Sequence, residues 1–185
     1  MKTSVRNDGD VARAFSVVEL QQVPTAYEEH TFERTCSVPC AVEDCWEWLC
    51  DPATFTDGQI WPYRVEFVGG GFDVGALCNH SGPFIHFPGV ITEVEEERYR
   101  DLQYLYGAYV FSFRWIRPTR LEFWLEAHGD AETEVRLRVT SFVKPWIATP
   151  WSFAQRFFWT SFQGWLRGGA RKKARVRQSG SGGGR

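Results

Sequence analysis

The sequence predicts an α+β domain in which a curved antiparallel sheet wraps around one long C-terminal helix. Three observations carry that expectation. A strand-like alternation at 30–38 is followed at once by a helix-period segment. A long run of alternating segments, separated by turn residues, occupies positions 63 to 139. An aromatic stretch from Trp151 to Arg167 then returns to the helical period.

In "HTFERTCSV", Phe32, Cys36 and Val38 share one face of a strand. The period changes in "VPCAVEDCWEWLCDP", where Val42, Cys45, Trp46 and Leu49 make the apolar stripe of a helix. Pro39 suits its start and Asp51-Pro52 its end, with "ATFTDG" offering one more short turn before Trp61-Pro62. Tyr63, Val65 and Phe67 alternate, and glycines 69 to 71 turn the chain into Val74, Ala76, Cys78 and His80.

After Ser81-Gly82-Pro83, Val90, Thr92 and Val94 share a face against Glu93, Glu95 and Glu97. Leu102, Tyr104 and Tyr106 continue the pattern into "YVFSFRW". Beyond Arg117-Pro118-Thr119, Leu121, Phe123 and Leu125 oppose Glu122 and Glu126. "AHGDAET" turns into Val135, Leu137 and Val139, opposed by Arg136 and Arg138. Those glutamates and arginines face each other across neighbouring strands. The expected count is about seven strands, with one or two short helices after the first. Residues 1–29 read as an N-terminal extension with a short helical possibility at Val11, Phe15, Val18 and Gln22. Residues 30–177 read as the domain and 178–185 as a flexible tail.

A chain of 185 residues suits one domain, and nine tryptophans within an aromatic share of 16% call for a large core or a ring-lined cavity. The net charge of -2 conceals a split: all 23 acidic residues precede position 135, and the remaining 51 residues contain none. Cys36, Cys40, Cys45, Cys50 and Cys78 are odd in number and match no zinc-ligand spacing, so a reduced, cytoplasmic protein without metal or cofactor is expected. The N-terminus lacks a continuous apolar h-region, and no run of eighteen apolar residues exists to span a bilayer as a helix. "VGGGFDVG" leads into a strand rather than a helix N-terminus, which argues against a phosphate loop. No Gly-x-Ser-x-Gly or His-Glu-x-x-His marks a nucleophile or metalloprotease.

The element order, with "FERTCSVPCAVEDCWEWLCDPATF", "GVITEVEEERYRDLQYLY" and "HGDAETEVRLRV", resembles the START-like (SRPBCC) superfamily over residues 30 to 177. Its polyketide cyclase/dehydrase-like and lipid-transport-like branches are the most similar. The resemblance implies a helix-grip fold with a cavity between sheet and C-terminal helix. It implies no common catalytic signature, since members include cyclases, lipid and sterol carriers and chaperones of quinones.

Projected at 100° per residue, Trp151, Phe158, Phe162 and Trp165 fall together, with Trp159 and Leu166 on one flank. Arg156, Thr160, Gln163 and Arg167 form a narrow polar ridge, and Phe153, Phe157 and Gly164 a second apolar flank. So wide an apolar arc fits a helix gripped by a sheet, with one edge wet. Arg171, Lys172, Lys173, Arg175 and Arg177 exceed what capping requires. They leave open an anionic membrane surface, peripherally bound, or an acidic carrier protein; nucleic acid is disfavoured.

Strand parity directs Arg34, Tyr63, His80, Thr92, Tyr104 and Tyr106 inward, with His86 close to His80 across one turn. With Cys78, Phe123, Phe158, Phe162 and Trp165 they form the expected lining of a site for an aromatic, polyketide-like or lipid-like molecule. His80, His86 and Tyr104 are the candidate acid/base groups of a cyclase/dehydratase, because imidazole titrates near neutrality and a phenol donates to an enolate. Simple binding, catalysis and lipid or quinone carriage remain alternatives at this stage.

Overall fold

The computed structural model describes residues 22–56, 63–68 and 71–181. Val11, Phe15 and Val18, Trp61-Pro62 and the last four residues lie outside them. In chain order the elements are β1 (Glu28–Val38), α1 (Val42–Cys50), α2 (Pro52–Thr56), β2 (Arg64–Val68), β3 (Leu77–Gly82) and β4 (Ile85–Glu95). β5 (Tyr99–Tyr104), β6 (Tyr109–Val110), β7 (Ile116–Ala127) and β8 (Thr133–Val143) follow. A 3-10 turn, Pro145–Ile147, then leads into α3 (Ala148–Ser181). Helix elongation adds one hydrogen bond per residue fixed, and α3 runs past position 177 into the stretch expected to be tail.

One antiparallel sheet has the order β1-β8-β7-β5-β4-β3-β2, and β6 pairs with both β4 and β7. The sheet therefore has eight strands. "YVFSFRW" does not continue as a strand, because Phe111 adopts φ 61° and Ser112 closes a turn. Its carbonyl accepts from the Trp115 N–H (2.9 Å), and its hydroxyl oxygen accepts from the Arg114 N–H (3.2 Å).

The inner face of β1, β8 and β7 contributes Cys36, Val38, Val135, Leu137, Val139, Leu121, Phe123 and Leu125 to the core. Trp159, Phe162, Leu166 and Ala170 of α3 close over it. On one flank of α3, Arg34 donates to Thr160 Oγ1 (2.9 Å) and Gln163 Oε1 (3.0 Å), and Arg167 donates to the Ser37 carbonyl (3.0 Å). Thr160, Gln163 and Arg167 of the polar ridge are thus bonded to β1, along an edge that stays exposed. This turns the buried ridge to Gln155, Trp159, Phe162, Leu166 and Ala170, a rotation of roughly 70° from the face expected at 100° per residue. Phe153 and Phe157, expected as a second packed flank, are exposed.

Parity on β4 differs from the expected one. Cys78 pairs with Gly89 and His80 with Phe87, so Ile85, Phe87, Gly89 and Ile91 face inward. A bulge between Ile91 and Glu93 then returns Val94 to the inner face opposite Arg100. Thr92 sits at the bulge and donates outward to Asp101. On the outer face Asp101 and Glu122 are buried under Arg120, which pairs with both, while Arg138 reaches Glu122 and Glu33. The expected cross-strand pairing of glutamate and arginine is realised in the register Glu122–Arg138.

Trp48 of α1 lies flat against Gly169, where an added Cβ would come 1.8 Å from the indole nitrogen. Gly168 has nothing within 4 Å of the same position. Gly168→Ala should raise stability by about 1 kcal/mol through helix propensity. Gly169→Ala gains the same propensity yet displaces Trp48 from Phe162 and Phe55, and overpacking costs about 1–3 kcal/mol. Its thermal midpoint should fall while that of Gly168→Ala rises, in one pair of melts.

Candidate functional site

α3 packs on β1 and α1, and the sheet continues from β7 through β5, β4 and β3 to β2. The helix flank opposite its Arg34 contacts therefore overhangs the β4–β2 end. That flank carries Phe158 and Trp165, 49% and 47% exposed, which is high for rings on a packed helix. On the inner side of the sheet, β2 to β5 present Tyr63, His80, Phe87 and Tyr104 by register, the wall of the candidate groove. Trp48, Phe55 and Phe67 close the α1 end: Trp48 lies 5.8 Å from Phe55 and 5.7 Å from Phe162, and Phe55 lies 6.2 Å from Phe67.

The His80 ring stands edge-on to Phe87 (6.3 Å) and Tyr104 (6.1 Å), and Phe87 to Tyr104 is 5.3 Å. His80 is half-buried as a residue and its imidazole is enclosed by protein. Burial, aided by the charge of Arg100, holds its pKa down at about 4, so the imidazole is neutral at neutral pH. Burial likewise pushes the Tyr104 phenol above its ordinary range and the Cys78 thiol up to about 12. The groove wall thus holds neutral groups: an imidazole, a phenol that keeps its proton, and an inert thiol.

Tyr63 lies over Gly82, where a Cβ would sit 2.3 Å from the ring, so only glycine permits this approach. In the turns beside β3 and β6, Phe84 and Phe111 are exposed, with φ 76° and 61° and rings 6.2 Å apart. Trp115 and Trp146, 5.3 Å apart, add a second exposed pair.

The structure brings His80, Tyr63, Cys78, Tyr104, Phe123 and Phe162 to the inner side, with Phe158 and Trp165 on the overhanging flank. His86 pairs with Ser81 and points to the outer face, next to Tyr109 at 6.0 Å. It is not beside His80 in the groove, because adjacent register positions alternate faces. Thr92 also faces outward. Tyr106, in the loop after β5, is 71% exposed and meets Phe113 edge-to-face at 5.3 Å. Arg34 is spent on α3. At the cationic end, Lys173 binds Glu47 (2.8 Å) and Asp51 (3.0 Å). These bonds raise the pKa of its ammonium and help lower that of Asp51. Arg171, Lys172 and Arg175 are exposed, and the Arg177 side chain lies outside the described residues.

Sequence reasoning missed Arg100. It shares the inward parity of Leu102 and Tyr104, which was the available signal. Its guanidinium donates to the Leu49 carbonyl (2.6 Å) at the end of α1 and lies over Phe72 (4.6 Å) and Phe123 (5.2 Å). The negative end of the helix and two ring faces balance this buried cation.

No family model and no curated relative matches the chain. Solved structures do. A Staphylococcus aureus protein of unknown function superposes with TM-score 0.64 at 8% identity, covering 82% of this chain and 99% of its own. A Streptomyces aromatase/cyclase gives 0.60 at 13% identity over 80% and 96%. A truncated norcoclaurine synthase from Thalictrum flavum gives 0.58 at 12% over 80% and 95%. The fold is the α+β helix grip that these structures share. At such identities the likeness extends to the fold alone. Among the described residues no helix is long and apolar enough to cross a membrane.

Keeping His80 neutral has a measurable consequence. Its folded pKa of about 4 lies below the unfolded 6.5, so the unfolded chain takes up more protons between those values. The contribution is fully present above pH 6.5 and is lost as pH falls toward 4. His80→Phe should flatten the acid limb of stability there by up to about 3 kcal/mol in urea titrations. An unaltered slope would mean that His80 is not the group responsible.

Proposed function

We propose that this domain binds a hydrophobic, ring-containing small molecule in the groove between the Phe158–Trp165 flank of α3 and the inner face of β2 to β5. The observation that carries the reading is the pair of half-exposed rings overhanging a wall of aromatic and neutral polar groups. Apolar surface left uncovered inside a gripped helix is ligand-binding surface in the making. Among the structural neighbours, one is an aromatase/cyclase and a norcoclaurine synthase is in complex with dopamine and hydroxybenzaldehyde, which agrees with such a ligand.

Binding is favoured over acid/base catalysis because His80 lacks its protonated form near neutral pH and His86 is on the other face. The cyclase/dehydratase alternative would rest on His80 as a base and Tyr104 as a donor. The uncharged fluorophore N-phenyl-1-naphthylamine tests the groove. Saturable fluorescence enhancement is expected with the wild type. Phe158→Ser or Trp165→Ser should weaken it about tenfold, the value of one partly buried ring, with the melting temperature little changed. Absence of saturable binding in the wild type would refute the reading.

A further inference from the structure

Beneath the first turns of α3 lies a polar cluster that the groove's aromatic wall does not explain. Ser141 Oγ, Gln155 Nε2, Trp151 Nε1 and His30 Nδ1 are buried and have no hydrogen-bond partner among the described residues. Ser141 is 0% and Gln155 4% exposed. An unpaired buried polar group costs its full desolvation, so a set of four calls for a reason.

The residues belong to one place. His30 and Ser141 are register partners on the inner face of β1 and β8. His30 Nε2 lies 2.7 Å from Ser152 Oγ, which sets this part of α3 above the pair. Trp151, Gln155 and Trp159 follow one another at four-residue spacing along the same side of the helix. Trp151 also packs with the Val110, Ile116 and Ile147 cluster, beside Phe87 of the groove wall.

Their chemistry is fixed by their neighbours. The Trp159 indole N–H donates to Gln155 Oε1 at 2.6 Å, which orients the amide so that its NH2 group is the free end. Trp151 Nε1 is a donor only. The Ser152 hydroxyl donates to the Ala148 carbonyl at 3.0 Å, so it accepts from His30 Nε2–H and leaves His30 Nδ1 as an acceptor. Two committed donors and one adaptable hydroxyl therefore lie unpartnered in the layer between the first turns of α3 and the sheet, without a charge among them. The buried cation of the interior, Arg100, is held by the Leu49 carbonyl at the α1 end.

We propose that Trp151, Gln155 and Ser141 form a recognition point for a neutral carbonyl oxygen on the apolar ligand. A ketone, aldehyde, ester or quinone oxygen accepts from both donors, whereas a carboxylate would be desolvated there with no cation to offset it. The inference rests on the groove being a binding site for apolar molecules.

Three probes of one shape separate the cases: 2-acetonaphthone, 2-ethylnaphthalene and 2-naphthoate, titrated against tryptophan fluorescence. The wild type should bind the ketone about tenfold more tightly than the hydrocarbon, the worth of one hydrogen bond from a buried donor. Trp151→Phe keeps the ring and removes the N–H; Gln155→Met keeps the volume; Ser141→Ala removes the hydroxyl. The first two should erase the ketone's advantage while leaving the hydrocarbon's affinity in place, which also reports that the fold survives. Equal binding of ketone and hydrocarbon, an advantage that persists in both variants, or naphthoate as the tightest probe would overturn the proposal alone. If none of the three binds, the apolar-ligand reading falls with it.

Discussion

The rotation of α3 about its own axis governs what the rest of the molecule can do. Trp159, Phe162, Leu166 and Ala170 are turned down into the core because the adjacent polar ridge is bonded to β1 through Arg34 and Arg167. Each bond is worth about 1 kcal/mol, small beside the burial of four side chains. The bonds act by choosing between two nearly equivalent apolar faces, since Phe158 and Trp165 would also fill a core. With the long helix held against β1, the β4–β2 end of the sheet is covered by the short helix α2, through Phe55 on Phe67, and not by α3. The rings that would otherwise have been core become the overhanging wall of a groove.

Charge is distributed so that the groove stays neutral. Asp101 and Glu122 are buried on the convex side of the sheet, where Arg120 and Arg138 neutralise them. Arg100, the cation on the concave side, is tied to the end of α1 and its field helps keep His80 unprotonated. A low-dielectric interior strengthens each hydrogen bond made within it and penalises each one missing. Discrimination in such a space comes from the direction of N–H and O–H groups. That property suits ligands that differ by one oxygen.

The sequence made the element order and most inward faces legible because strands of period two and a helix of period 3.6 leave different apolar patterns. Cys78, His80, Tyr104 and Phe123 were assigned correctly to the inner side from parity alone. Parity failed where the backbone departs from its period. Val90 itself faces outward, so Thr92 and His86, placed inside by counting from it, are outside, and the bulge between Ile91 and Glu93 returns only Val94 to the inner face. The turn at Ser112 does the same to the expected strand beyond Tyr106. The face of α3 was misjudged for a different reason: counting apolar residues ignores that Gln155 is buried with Trp159 and that Arg34 awaits the polar ridge. Such errors are of tertiary origin, and no local pattern corrects them.

The division between an acidic first part and an acid-free last part has the same tertiary origin. β8 and α3 come last in the chain and lie against elements made earlier, so their cations meet acids and carbonyls already in place. Arg138 reaches Glu33 and Glu122, Arg167 reaches Ser37, and Lys173 spans Glu47 and Asp51. Arg136 stacks over Trp124, a contact that needs no acid. Within the run that reads as a basic arm along the sequence, Lys173 is, in space, one of the fastenings that close the domain. Arg171, Lys172 and Arg175 stay exposed after this pairing, on the part of α3 beyond Phe158 and Trp165. Their charge therefore sits away from the polar cluster under the first turns of the helix.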